Sequence, residues 1–261
     1  MFSIIALVCV STLVFANEFF VQSSLYPSNE ETFASQLGIV NSAYSIPQNA
    51  VLLATSSKNY PITPGDGFVL SYYDGKTPIT LHLVADNNCD VSIPSMGTIE
   101  GYGLNLSQLK TKVEAMVSTY YTYSSPQLTL ERCGVYSVWV TGEATYAQDV
   151  YCWGLTRLSD LASYAGDYAS TRKVKVTNSD GVVNTYDLYG ALLEGSEKDN
   201  PYLGPNYTIE FLPSEKEVIL AGCVKKTGVF QLLEKDNLYD VITNSGKGYL
   251  ANAITTSVTV A

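Results

Sequence analysis

One histidine, His82, four cysteines after residue 80, and a run of carboxylates and amides at 86–90 are the residues here best equipped for chemistry. His82 sits between Leu81 and Leu83 in an alternating segment, so on a strand its ring leaves on the face opposite the leucines. With no Cys, Asp or Glu at ligand spacing, it reads as an exposed strand residue rather than a general base. Asp86-Asn87-Asn88-Cys89-Asp90 offers oxygens at alternate positions, as a calcium loop does. The sixth position is Val91 and the twelfth Gly97, where such a loop needs glycine and a bidentate glutamate, so a polar turn leading into Val91-Ser92-Ile93-Pro94 is the better account. Cys89, Cys133, Cys152 and Cys223 contain no C-x-x-C pair, which leaves a structural zinc site without support. Four cysteines allow three complete pairings, and both one or two disulfides and four small buried thiols remain open. A carboxylate pair for glycoside hydrolysis would depend on spatial separation, which 25 Asp and Glu residues do not specify. No nucleophile elbow or phosphate loop occurs. The expectation is no catalytic residue, no cofactor and no metal.

The elements that position these residues follow from a repeat. Val138–Gly166 recurs at Val218–Gly246 without a gap, at an offset of 80 residues. Val138, Val140, Gly142, Val150, Leu158, Asp160 and Gly166 meet Val218, Leu220, Gly222, Phe230, Leu238, Asp240 and Gly246. In each copy an apolar strand, a glycine turn, a second strand and a capped helix follow one another, which points to duplication of one small unit. Thr156 and Asp236 are the expected N-caps, Asp160 and Asp240 the first-turn acids, and Gly166 and Gly246 the residues just past the helix ends. Tandem modules more often build a surface, ring or stack than a duplicated catalytic centre.

Composition narrows the class of partner. A net charge of −10 and a pI near 4.5, with no basic run, repel phosphate backbones and argue against nucleic acid. Twenty tyrosines against 15 Lys and Arg suit half-exposed sheet faces and wet interfaces. Ile4 to Phe15 is an apolar run of signal-peptide length, too short for a bilayer span, and Val14-Phe15-Ala16 provides small residues at a cleavage site. The expectation is a signal peptide over 1–16, a mature start at Asn17, and an exported protein; a buried strand and an uncleaved anchor are the alternatives. Cys9 lies inside the apolar run, a poor position for lipid attachment.

Residues 17–59 read as an irregular extension with one short helix around Glu30 to Leu37. A first domain spans 60–133. Pro64, Gly65 and Asp66 form a turn before a strand at Phe68 to Tyr73, a second strand covers Thr80 to Val84, and a third lies near 127–131. Asn105 and Gln108 make a capping box for a helix whose apolar face is Leu106, Leu109, Val113, Met116, Val117 and Tyr120. Residues 137–212 and 217–261 hold the two repeat units, the second reaching its third strand at Ile254 to Val260.

Pro64-Gly65-Asp66 before a strand, Ile93-Pro94 with Gly97, and Leu104-Asn105-Leu106 opening a helix resemble the N-terminal domain of outer-membrane capsular polysaccharide export proteins. Val138-Trp139-Val140-Thr141-Gly142-Glu143 and Asn200-Pro201-Tyr202-Leu203 resemble the soluble-ligand-binding β-grasp (SLBB) domain that follows it. The resemblance implies an α+β fold, a polysaccharide-export domain followed by tandem β-grasp-like domains. It carries Pro64, Gly65, Asp66, Pro94, Gly97, Gly142, Gly166, Gly222 and Gly246 as motif residues that shape turns. It implies a ring-forming homo-oligomer that is either periplasmic or associated with the outer membrane. That ring would pass polysaccharide from an inner-membrane export or co-polymerase partner. The sequence to Ala261 lacks the family's C-terminal amphipathic helix and the lipidated cysteine, so it does not support a membrane span; a soluble collar, a conduit whose pore a partner supplies, and a shortened chain are the alternatives. The alternative is a secreted carbohydrate-binding or scaffold module without transport.

Overall fold

A computed structural model describes residues 4–8, 45–255 and 259–260. The expected cleavage point at Ala16, Cys9 and the helix around Glu30 to Leu37 lie outside the described residues. The chain is mixed α+β. Its elements begin with β1 (Ile4–Val8), α1 (Ala50–Ser56), β2 (Gly67–Asp74), β3 (Thr77–Val84) and the small hairpin β4 (Val91–Ile93) and β5 (Gly97–Ile99). Then follow α2 (Leu106–Tyr120), β6 (Gln127–Arg132), β7 (Tyr136–Gly142), β8 (Gln148–Cys152), a 3-10 helix (Leu158–Tyr164), β9 (Ala169–Thr177), β10 (Val183–Tyr186) and α3 (Leu188–Glu194). The last elements are β11 (Thr208–Pro213), β12 (Glu217–Gly222), β13 (Gly228–Gln231), α4 (Leu238–Asp240) running into a π turn (Val241–Ser245), and β14 (Thr259–Val260).

The first sheet has the order β3-β2-β6. Strand β2 alternates Phe68, Leu70 and Tyr72 onto one buried face, and α2 covers it with Leu109, Val113 and Val117 at helical spacing. Each such fully buried aliphatic side chain contributes about 1.5–3 kcal/mol relative to exposure. The Asn105 side chain accepts the Gln108 N–H, and the Gln108 side chain accepts the Asn105 N–H, so the predicted capping box is present. Tyr120, expected on the apolar face, is instead 58% exposed in the last turn of the helix.

The second sheet has the order β10-β9-β11-β7-β8, with β7 and β11 parallel. Val138, Val140, Val150, Val174, Val176, Ile209 and Phe211 point inward against Leu158, Leu161 and Leu188, forming a separate core. The third sheet runs β13-β12-β1-β14.

The repeat extends to hydrogen-bond register. Val138 lies opposite Val150 and Val140 opposite Gln148; 80 residues on, Val218 lies opposite Phe230 and Leu220 opposite Gly228. Thr208 to Phe211 of β11 run parallel to Trp139 to Gly142, and Ile5 to Val8 of β1 run parallel to Ile219 to Gly222 in the same register. The equivalent helices differ in kind: Leu158–Tyr164 is 3-10 throughout, whereas Leu238–Ser245 is one α turn followed by a π turn. Their N-caps also fall one residue later than expected, at Arg157 and Asn237. Thr156 and Asp236 instead close the preceding turns, accepting the N–H groups of Trp153 and Leu233.

Candidate functional site

The sequence-derived positions divide into one buried carboxylate hub and a set of close backbone approaches. Asp66 is fully buried where the turn Pro64-Gly65 enters β2. Its Oδ1 accepts the Tyr60 hydroxyl at 2.7 Å, the Gly134 N–H at 2.6 Å and the Thr63 hydroxyl at 3.1 Å, and its Oδ2 accepts the Thr63 N–H at 2.8 Å. Burial raises the carboxyl above its ordinary value, while the Gly134 and Thr63 N–H groups and the two hydroxyls pull it back down. Burial likewise raises the Tyr60 hydroxyl, with the Asp66 charge acting in the same direction. A carboxylate that is fully buried and already takes four protein donors is closed to a substrate, and its chemistry is to fix the turn and the chain leaving β6.

Gly134, which sequence reasoning missed, is the counterpart of this hub. A Cβ there would stand 2.0 Å from the Pro64 carbonyl oxygen, so only glycine permits the approach. No local pattern signals it, because the partner turn is 68 residues away. Gly142 and Gly222 hold left-handed φ values of +77° and +97°, the same turn in both repeats. Gly166 and Gly246 follow the helices but do not adopt the left-handed conformation; a Cβ would lie 2.7 Å from the Glu143 carbonyl oxygen at the first and 2.8 Å from the Ile242 carbonyl oxygen at the second. Pro94 and Gly97 bracket the tight connection between β4 and β5.

The Asn200-Pro201-Tyr202-Leu203 motif wraps the 3-10 helix. Arg157 donates to the Asn200 carbonyl and the Tyr202 hydroxyl, both at 2.9 Å, and its guanidinium lies 4.1 Å from the Tyr202 ring centroid. The Asn200 side chain accepts the Ser159 N–H, and the Leu158 N–H reaches the Pro201 carbonyl, so the motif satisfies helix-end donors. His82 lies exposed on β3 with Nδ1 3.1 Å from Glu131 on β6. Asp86 Oδ1 accepts the N–H groups of Asn88 and Asp90, closing the polar turn expected there. Cys89, Cys133, Cys152 and Cys223 are free thiols, and burial pushes Cys89 up to about 11 and Cys152 to about 12, which makes both poor nucleophiles.

Two larger features were not legible beforehand. The first joins the repeat units. Arg172 on β9 donates from Nε and Nη2 to Asp187 and from Nη1 to Asp236, with its side chain only 13% exposed. Beside it Gln231 accepts the Thr171 N–H at 2.8 Å and donates to the Ala169 carbonyl at 2.8 Å. An ion-pair triad and a satisfied amide thus fasten β9 of one unit to β13 and the helix entry of the next.

The second is the outer face of the five-stranded sheet. Val183, Thr177, Thr208, Trp139 and Asp149 form one cross-strand row over all five strands, and Thr185, Lys175, Glu210 and Thr141 form the next. Trp139 is 42% and Tyr151 68% exposed on this face, while Lys175 and Glu210 neutralise one another at 2.7 Å. No family model matches the chain, and no curated protein matches it.

Proposed function

We propose that this chain is a non-enzymatic, ring-forming component of a polysaccharide export apparatus. It would act in the periplasm or in association with the outer membrane, as a passive conduit or collar fed by an inner-membrane export partner. Such a chain would carry an export-type α+β domain over 60–133 and two β-grasp-like units over 137–212 and 217–261. The observation that carries it is the Arg172 clamp between two units of identical strand register. A wall element has to hold its shape under the traffic it guides, and a buried charged triad with a satisfied amide fixes an interdomain angle in a way that a free linker does not. The buried, fully bonded Asp66 supports the same view, since the most acid-like residue of the motif is engaged in architecture.

The exposed Trp139 and Tyr151 face also favours a second reading, a secreted carbohydrate-binding module without transport. The mass of the native protein in solution separates the two. A ring many times the 28.4 kDa chain is the expected result, and a stable monomer that cannot restore export in a deletion strain overturns the ring reading.

A further inference from the structure

The outer face of the five-stranded sheet has the chemistry of a glycan platform, and we infer that Trp139 and Tyr151 stack on the sugar rings of a neutral polysaccharide. The inference rests on the polysaccharide reading above and names the surface that would touch the polymer. Strand alternation sends Val138 and Val140 into the core and leaves Trp139 on the open side. Tyr151 stands on the same face of β8, diagonal to Trp139 through the Trp139–Asp149 pair. Such diagonal neighbours lie about 7–8 Å apart, so both aromatic faces are within reach of one short oligosaccharide.

The chemistry around the two rings chooses the occupant. A sugar ring presents a C–H face and a rim of hydroxyls, and it needs an aromatic plane beside hydrogen-bonding groups. Trp139 and Tyr151 provide the plane, while Thr208 and Asp149 flank Trp139 on the neighbouring strands. A protein partner would need contiguous apolar area, and Val183, 50% exposed at the far edge, is the one aliphatic residue in the two rows. The Lys175–Glu210 pair leaves the second row without net charge, and a chain carrying −10 repels polyanions as a whole. A neutral polymer fits these conditions and an acidic one does not. The second unit places Ile219 and Gln231 where the first has Trp139 and Tyr151, so the platform belongs to the first unit alone.

The chain carries its own reporter. Of the two tryptophans, Trp153 is 3% exposed, so a change in intrinsic fluorescence on adding glycan reports Trp139. The test is electrophoresis of the full chain through gels containing dextran, galactomannan or xylan, with alginate as the acidic control, paired with fluorescence titration. Retardation and a fluorescence change with at least one neutral polymer, and neither with alginate, are expected. Trp139→Ala should weaken binding about tenfold, the scale of one aromatic anchor removed, and Trp139→Phe should keep part of it. Both changes lie on the open face, and an unaltered circular dichroism spectrum verifies the fold. Failure of every neutral polymer, binding to alginate, or neutral-polymer binding that survives Trp139→Ala unchanged overturns the inference. A ring that binds no glycan overturns this inference alone, whereas glycan binding by a permanent monomer overturns the ring and leaves the platform standing.

Discussion

The Asp66 carboxylate receives the Gly134 backbone N–H at 2.6 Å, joining the turn that opens the first sheet to the chain that leaves it for the second. Because Asp66 also takes the Thr63 N–H, its replacement strands two buried donors at once. Asp66→Asn turns one acceptor oxygen into an NH2 group facing a donor, and a loss of about 2–4 kcal/mol is expected. Gly134→Ala should cost at least as much, since its Cβ would be forced to 2.0 Å from the Pro64 oxygen. Urea denaturation of each variant measures both losses, and a change under about 0.5 kcal/mol, the range of ordinary surface substitutions, would remove the hub from the account.

The same carboxylate should leave a signature in pH. Burial raises the folded-state value of Asp66 above its ordinary one, so the folded protein holds this proton more tightly than the unfolded chain does. The stability it contributes is then full below the unfolded value of about 3.9 and is lost as pH rises through the folded value. Asp160, also raised by burial, acts in the same direction. Unfolding midpoints measured from about pH 4 upward should therefore fall more steeply in the wild type than in Asp66→Asn. A shallower fall in the wild type would mean that the four hydrogen bonds outweigh burial.

Arg172 is expected to be the coupling element between the repeat units. Arg172→Met leaves Asp187 and Asp236 buried without their cation, and breaking a buried pair from one side typically costs about 3–5 kcal/mol. The informative readout is cooperativity. Calorimetry should show a shared transition in the wild type and a separate, earlier transition of the second unit in the variant. One unsplit transition at an unchanged temperature would show that the apolar contacts alone fix the two units.

The sequence disclosed most where the determinants are local. The Asn105–Gln108 box, the Leu109, Val113 and Val117 stripe and the alternation in β2 depend on neighbours within a few residues, and each appears as expected. The repeat was legible because glycine turns and apolar positions survive at a fixed offset even where identity does not. The helix type was not, since Leu158–Tyr164 closes as 3-10 with its entry tied by Asn200 and Pro201, more than 40 residues away. Gly134 and Arg172 escaped notice for the same reason: a close approach and a charge clamp are defined by partners on other elements. Trp139 was read only as part of a motif, and its exposure depends on which face of the five-stranded sheet is left uncovered.

The strand pairing of Ile4–Val8 and the export signal proposed for the N-terminus would exclude each other in one molecule. Ile4–Val8 pairs in parallel with β12 and in the antiparallel sense with β14, taking towards β12 the place that β11 takes towards β7. Cleavage after Ala16 would remove that strand and leave one edge of β12 with unpaired N–H and C=O groups, which are costly unless water or another strand meets them. If the segment acts as an export signal, protein recovered from the native envelope should begin near Asn17. Its amides at 218–222 should then exchange at least about tenfold faster than in a chain retaining Met1, the change for a loss of about 1.4 kcal/mol of local protection. Terminal sequencing and hydrogen exchange read the two points independently. Intact Met1 on cytosolic protein would end the export reading, and equal exchange in both forms would show that β1 does not protect β12.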